Sequence, residues 1–291
     1  WQHLLDRFPD APGSAWARLA LGKDNPVLHQ QLLQKQPAHP AALTLAAGGG
    51  SEPLPLHQGA LHLARWNVRW PGALKQMRDA CQATGAQAPQ PDQRQLLAKA
   101  LAKRGHAETA LACLQDVDAA PETQLAIGRS LLLHGDPDGG TDQLLTLTQN
   151  NPNHPASLEA ARILSEPLYP DPGVLNALPA AVEKRSAAVA AARVRLADGD
   201  GAEAALNQWP DDPDIWQLQW DLARDAFLSG NWLRARNLLE RDSDHGPLPP
   251  PLEARRLFWL GLSHQETGET EQAERLWRNL IKSFPAGYYR W

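Results

Sequence analysis

Apolar residues recur along most of the chain with the three-to-four-residue spacing of amphipathic helices, and short polar segments separate them. The pattern is clearest in residues 257–284, where two helices are predicted on either side of a Thr267-Gly268-Glu269 turn. No segment shows the alternating apolar and polar pattern of a β-strand, so we expect essentially no sheet. The chain is therefore predicted to be all-α.

Small residues at fixed offsets indicate that this C-terminal helix pair is a repeat. Gly261, Ala273, Trp277 and Pro285 lie at offsets 0, 12, 16 and 24, which resembles a helix-turn-helix of the tetratricopeptide type, with a period of about 34 residues. Gly261 and Ala273 would allow the two helices to cross closely, and Trp277 would fill the space towards the neighbouring repeat. Gly268 suits the turn, because glycine adopts a positive φ at little cost.

The same template recurs upstream. The template consists of a small residue, a glycine seven positions later and another small residue twelve positions later. It occurs at four further sites: Ala223, Gly230 and Ala235; Ala192, Gly199 and Ala204; Gly128, Gly135 and Gly140; and Ala98, Gly105 and Ala110. One helix pair cannot bury its own apolar face, so several in series predict an α-solenoid of tetratricopeptide-like repeats that forms a curved superhelix. We divide this domain into N-terminal helical pairs (1–85), a first set of repeats (86–165) and C-terminal repeats (166–291).

Proline and glycine mark the predicted breaks. The 25 prolines are too many for a few long helices and suit many short ones, each terminated. Loops are predicted at residues 48–53 and 242–251, and residues 166–172 are the candidate break in the superhelix. The alanine-rich residues 174–196 are predicted to form helix in two pieces, divided near Pro179 or Arg185.

Composition excludes some classes of function. The net charge of −5 argues against a nucleic-acid-binding protein, which normally presents a basic face. No stretch approaches the roughly 20 apolar residues of a membrane span. No signal peptide is visible, but the chain begins at Trp1 and ends at Trp291, directly after a repeat, so we expect it to be a segment of a longer protein.

The two cysteines, Cys81 and Cys113, are 32 residues apart, about one repeat. Equivalent positions on neighbouring helices are expected about 8–10 Å apart, whereas a disulfide needs Cα atoms within about 7 Å. This spacing favours two small buried thiols, with a disulfide as the alternative.

Candidate catalytic groups are sparse. Glu269, Glu271 and Glu274 cluster at the start of the last helix, where general acid–base work is possible in principle. A solvated helix N-terminus is the simpler interpretation, because acidic side chains are favourable there. The ten histidines lack metal-ligand spacing, and no nucleophile elbow or phosphate loop is present. We therefore predict no catalytic residue, metal or cofactor in this segment.

Tryptophan is concentrated near the C-terminus, with seven of the 11 tryptophans after residue 200 and arginines interleaved among them. Aromatic and arginine side chains recur at binding hot spots and suit the faces of sugar rings. Core packing is the alternative for each of them. The predicted ligand or partner surface consists of Trp216, Trp220, Arg224, Trp232 and Arg236.

The C-terminus also resembles a known family. A W-L-G helix, a G-x-x-x-x-A turn and helix, and a Pro-x-x-Tyr-Tyr stretch resemble the end of the α-superhelical domain of soluble lytic murein transglycosylases. The residues that carry this are Trp259, Leu260, Gly261, Gly268, Ala273, Trp277, Pro285, Tyr288 and Tyr289. The upstream sequence ARWNVRWPGA (residues 64–73) is similar to the cyanobacterial branch. The close resemblance covers about 40 residues, roughly one repeat period.

The resemblance implies a periplasmic or cell-envelope protein that acts on peptidoglycan. Members of the family cleave the MurNAc–GlcNAc bond without water, using a glutamate in a Glu-Ser motif. This chain has no Glu-Ser pair, so a catalytic domain would lie beyond Trp291. The segment is then expected to be a non-catalytic superhelical scaffold that contacts or positions glycan strands. The alternative is a stand-alone tetratricopeptide-like adaptor that binds a protein partner.

Overall fold

The computed structural model describes residues 1–49, 54–166, 170–241 and 248–285, and within these ranges every regular element is a helix. The α-helices are α1 (Gln2–Arg7), α2 (Pro12–Leu21), α3 (Pro26–Lys35), α4 (Pro40–Ala46), α5 (Leu56–Trp66), α6 (Ala73–Gln82), α7 (Pro91–Lys103), α8 (Ala107–Cys113), α9 (Pro121–His134), α10 (Pro137–Asn150), α11 (Pro155–Ser165), α12 (Pro172–Asn176), α13 (Ala180–Glu183), α14 (Ala187–Leu196), α15 (Ala202–Gln208), α16 (Pro213–Leu228), α17 (Trp232–Glu240), α18 (Pro250–Glu266) and α19 (Thr270–Ser283). A short 3-10 helix spans Gly85–Gln87.

Prolines begin the helices more often than they end them. Of the helices in the described ranges, ten have proline as their first residue, as α7 and α16 do. Proline suits this position because the first N–H of a helix has no partner within the helix and because the fixed φ angle is already helical. The expectation of many short helices is confirmed within the described ranges, and Pro285 follows the end of α19.

The helices form two compact units, residues 1–160 and 161–291. In the first unit, α5 packs on α6, α7 on α8 and α9 on α10, and α5, α7 and α9 pack on one another in series. In the second unit, α14 packs on α15, α16 on α17 and α18 on α19, and consecutive pairs join through α14 and α16 and through α17 and α18. This confirms the α-solenoid of tetratricopeptide-like helix pairs, while the finer division at residues 85 and 165 stays a prediction.

The alanine-rich region is divided at both predicted positions, giving α12, α13 and α14 where two pieces were expected. Pro179 is the N-cap residue of α13. Ser186 follows Arg185 and caps α14 by accepting a hydrogen bond from the Val189 N–H at 3.3 Å. Residues 167–169 of the predicted break, and residues 50–53 and 242–247 of the predicted loops, lie outside the described residues.

Small residues allow the close helix crossing in the last repeat, as predicted. Ala273 is fully buried, and a Cβ added at Gly261 would overlap the indole ring of Trp277. The Trp277 Nε1–H donates to the Phe258 carbonyl at 3.1 Å. Among the described residues, Trp277 packs with α18 and α19 of its own repeat, and its contact with a neighbouring repeat stays a prediction.

One template position is displaced by a residue. Gly201 precedes α15 with a φ of 78°, so the turn after Gly199 is one residue longer than the turn after Gly230 or Gly268. As a result, Ala205 enters the core with 4% exposure and Ala204 is exposed. The assignment of Ala204 to the helix crossing is therefore wrong, because fixed offsets cannot detect an inserted turn residue.

Cys81 on α6 and Cys113 at the end of α8 form a disulfide, with their Cα atoms 4.9 Å apart. The expectation of two unbridged thiols is wrong. The spacing of about 8–10 Å refers to helix axes, and Cα atoms on the facing sides are each about 2.3 Å closer to the partner helix. The bridge links the second helices of two consecutive repeats.

Candidate functional site

A cavity of about 980 Å³ opens between α14 and α16 in the second unit. Its walls also include residues at the end of α11 and in the turn that follows α14. The charged residues that line it are five carboxylates and three guanidinium groups: Glu166, Asp198, Asp214, Asp221, Asp225, Arg195, Arg224 and Arg234. The cavity therefore combines apolar and charged walls and has an excess of negative charge.

The periodicity of α16 places these side chains. Ile215, Leu218 and Ala223 are buried on the core side of this helix. Asp214 and Asp221 are seven residues apart and lie on another side, because two helical turns return to the same face. The spacing that builds the core thus also directs charged side chains of α16 into the cavity.

The cations around Asp214 are already engaged by other carboxylates. Arg195 binds Asp221, with Nη2 3.0 Å from Oδ2, and Arg162 pairs with Glu166. Within the described part of the chain, the Asp214 carboxylate forms no hydrogen bond or ion pair. Burial, followed by the negative charge of Asp212, raises the pKa of Asp214 above its ordinary value of 3.8.

A second cavity of about 620 Å³ adjoins the first and is lined by the turn at Gly199–Ala202, by α15 and by α17. Gly199, Leu222 and Arg234 line both cavities, so the two form one continuous depression across consecutive repeats. Arg241 lies on its wall and pairs with Glu203 at 2.7 Å.

Of the predicted surface, Trp216 and Trp220 lie at a small recess of about 30 Å³ beside α18. The Trp216 Nε1–H donates to the Pro210 carbonyl at 2.8 Å. The guanidinium carbon of Arg255 is 4.3 Å from the centroid of the Trp220 ring, which is a cation–π contact. Both indoles are half-buried.

Trp232 and Trp220 join a cluster of rings centred on Phe227. The Phe227 ring centroid is 5.0 Å from that of Trp259, 5.5 Å from Trp232 and 6.3 Å from Trp220. These rings pack against the core formed by α14 to α18. Packing is therefore one role that the structure gives to Trp220 and Trp232.

The two arginines of the predicted surface occupy different surroundings. Arg224 lines the large cavity and is 54% exposed, with Asp221 and Asp225 at 3.9 and 3.7 Å. Arg236 instead pairs with Glu269, and its Nε lies 3.8 Å from Glu240. The five residues are thus divided among a cavity, a recess, a ring cluster and an ion-pair network, and their role in binding stays a prediction.

Sequence reasoning missed Asp214, Arg195, Asp221 and Arg234 at the cavity. A signal was present in Asp214, Gln217, Asp221 and Arg224, which follow helical spacing as a polar stripe. The partners of Arg195 could not be read from the sequence, because Asp221 is 26 residues away on another helix.

Two of the three carboxylates in the acidic cluster at the start of α19 are held in ion pairs. Glu269 is bonded to His264 and Arg236, and Glu274 is 2.7 Å from Arg278 one turn along the helix. Over residues 1–49, 54–166, 170–241 and 248–285, no three His, Cys, Asp or Glu side chains converge as a metal ion would require. None of the described helices has the length and apolarity needed to cross a membrane.

Comparison with known proteins supports the repeat assignment. The family model of the tetratricopeptide repeat matches residues 257–286, the segment that contains α19 and most of α18. Comparisons with curated proteins and with solved structures gave no significant match. The chain is thus an α-solenoid whose C-terminal helix pair is similar to a tetratricopeptide repeat, an architecture that indicates a scaffold for protein partners.

Proposed function

We propose that this chain is a non-catalytic scaffold that binds an extended segment of a partner protein in the cavity between α14 and α16. The observation that carries this proposal is the cavity itself, which at about 980 Å³ lies at the upper end of the range for ligand sites, about 300–1,000 Å³. Solenoids bind along surfaces built by consecutive repeats. The continuation of the depression over Gly199 and Leu222 gives an elongated ligand room to extend.

A peptide selection tests this proposal. Peptides selected from a random displayed library with the full chain should protect the backbone amides of α14 and α16 from hydrogen exchange. Gln217 is exposed on the cavity wall, so Gln217→Trp should weaken binding at least about tenfold by filling space. Lys282→Trp on exposed α19 is the matched control and should leave affinity unchanged. Protection confined to helices other than α14 and α16 would contradict the proposal.

A second candidate is the superhelical scaffold of a peptidoglycan lytic transglycosylase, positioning glycan strands for a catalytic domain beyond Trp291. The observation that favours it is the Cys81–Cys113 bridge, because disulfides persist in oxidising compartments such as the periplasm. A periplasmic or cell-envelope location is part of this proposal, and the C-terminal resemblance supports peptidoglycan as the ligand.

Sedimentation with purified peptidoglycan sacculi, followed by mass spectrometry of the supernatant, tests this second candidate. Pelleting of the chain without released anhydro-muropeptides is the expected result. Release of anhydro product would place a catalytic centre within these residues and contradict the non-catalytic role. A chain that stays in the supernatant would leave protein binding as the remaining function.

A further inference from the structure

We propose that the cavity between α14 and α16 selects a cationic segment of the partner, with a lysine or arginine side chain bound between Asp214 and Glu166. This inference rests on the proposed function and specifies the chemistry of the ligand. The site is a cavity of about 980 Å³ with both residues on its wall, and the two carboxylates are close enough for the charge of Glu166 to act on Asp214.

The charges around the cavity favour this occupant. Arg195 is held by Asp221 at 3.0 Å, and Arg162 is held by Glu166, so the two guanidinium groups whose positive charges act on Asp214 are shared with other carboxylates and only partly offset its burial. A half-buried carboxylate without a partner destabilises the folded chain, and an incoming cation would relieve that cost. An anionic segment would meet the excess of carboxylates instead, and like charges across an interface are unfavourable.

Arg224 regulates access to this acidic wall. Its guanidinium lies 3.9 Å from Asp221 and 3.7 Å from Asp225, both longer than a hydrogen bond, and the side chain is 54% exposed. It is therefore a loosely held cation that competes with the ligand for the same wall. Removing it should strengthen the binding of a cationic peptide, which a purely structural role would not produce.

The test uses three labelled peptides of about twelve residues, about 40 Å when extended, in which serine alternates with lysine, glutamate or asparagine. Binding to the full chain is measured by fluorescence anisotropy at one ionic strength. The lysine peptide should bind most tightly. Asp214→Asn should weaken its binding at least about fivefold, and Arg224→Ala should strengthen it. Glu271→Gln removes one exposed charge from α19 and is the matched control, which should change nothing.

Each outcome separates the specific inference from the general function. Equal affinity for the lysine and asparagine peptides would overturn the inference, and so would equal losses in Asp214→Asn and Glu271→Gln, which would indicate unspecific charge attraction. If the asparagine peptide binds and protects α16 amides without a lysine preference, the scaffold function stands and the inference fails. If none of the three peptides binds but a library-selected peptide protects α16 amides, the inference alone fails; if no library-selected peptide protects them, both fail. Thermal unfolding of each variant confirms that affinities are compared between folded chains.

Discussion

The Nδ1 atom of His264 lies 2.9 Å from Oε2 of Glu269, across the turn that joins α18 to α19. The other ring nitrogen is 3.1 Å from Oε1 of Glu240 on α17, and Arg236 pairs with Glu269. His264 is 4% exposed. This network therefore connects two consecutive repeats through side chains from α17, from α18 and from the N-cap residue of α19.

The network predicts a loss of stability in acid. The hydrogen bond from His264, followed by that from Arg236, holds the pKa of Glu269 below its ordinary value of 4.5. Its stabilisation is fully present above that ordinary value and disappears as pH falls through the lower folded-state pKa. Glu269→Gln should remove this part of the pH dependence. Urea unfolding between about pH 6 and pH 3 measures it.

Glu274→Gln is the control for Glu269→Gln, since among the residues that the structure describes Glu274 bonds only to the exposed Arg278, at 2.7 Å. Such exposed pairs contribute little, about 0.3–0.5 kcal/mol within a helix. Similar pH profiles for the two variants would contradict a specific role for the His264–Glu269 contact.

The displaced template position predicts opposite results for two adjacent alanines. Ala205→Leu should cost about 1–3 kcal/mol of unfolding free energy, because added methylenes overpack a buried crossing. Ala204→Leu should change it by less than about 0.5 kcal/mol, since Ala204 is exposed. Chemical unfolding of the two variants measures the difference. A larger loss of unfolding free energy in Ala204→Leu than in Ala205→Leu would place Ala204 at the helix crossing, as the template predicts.

The disulfide predicts a large sensitivity to reduction. Closing a loop between residues 32 apart is expected to stabilise the fold by about 3–4 kcal/mol through the entropy of the unfolded chain. Reductant should lower the melting temperature of the wild-type chain. The double variant Cys81→Ala/Cys113→Ala should have a lower melting temperature than the wild-type chain, and reductant should not change it. If reductant leaves the melting temperature of the wild-type chain unchanged, the disulfide does not stabilise the fold as expected.

Trp216 allows packing to be separated from hydrogen bonding. Trp216→Phe removes the donor to Pro210 and should cost about 1 kcal/mol. Trp216→Ala also empties part of the recess beside α18 and should cost more, about 2–3 kcal/mol for a half-buried ring. Equal unfolding free energies for wild type and Trp216→Ala would show that Trp216 does not contribute to packing, and would favour its predicted role in binding.

Helical periodicity was sufficient to predict the fold class, because one buried stripe per helix determines which faces pack. Gly261 and Ala273 were correctly identified from sequence, since their small size is required where α18 and α19 cross. The additional turn residue before α15, at Gly201, was not identified from sequence. One inserted residue shifts which alanine of α15 faces the core, but it leaves the composition of the segment unchanged. The Cys81–Cys113 bridge depends on how α6 and α8 are rotated relative to each other, and a local sequence pattern does not determine that rotation. The cavity depends likewise on how α14 and α16 are placed, so the single stripe on α16 could not reveal it.

The Cys81–Cys113 bridge also has a mechanical consequence. In a solenoid pulled from its two ends, each repeat can detach from its neighbour and release its chain. The bridge prevents the 32-residue segment between its ends from extending, which shortens the fully stretched chain by about 110 Å. Tension would therefore unravel the repeats on either side while α7 stays within a closed covalent loop.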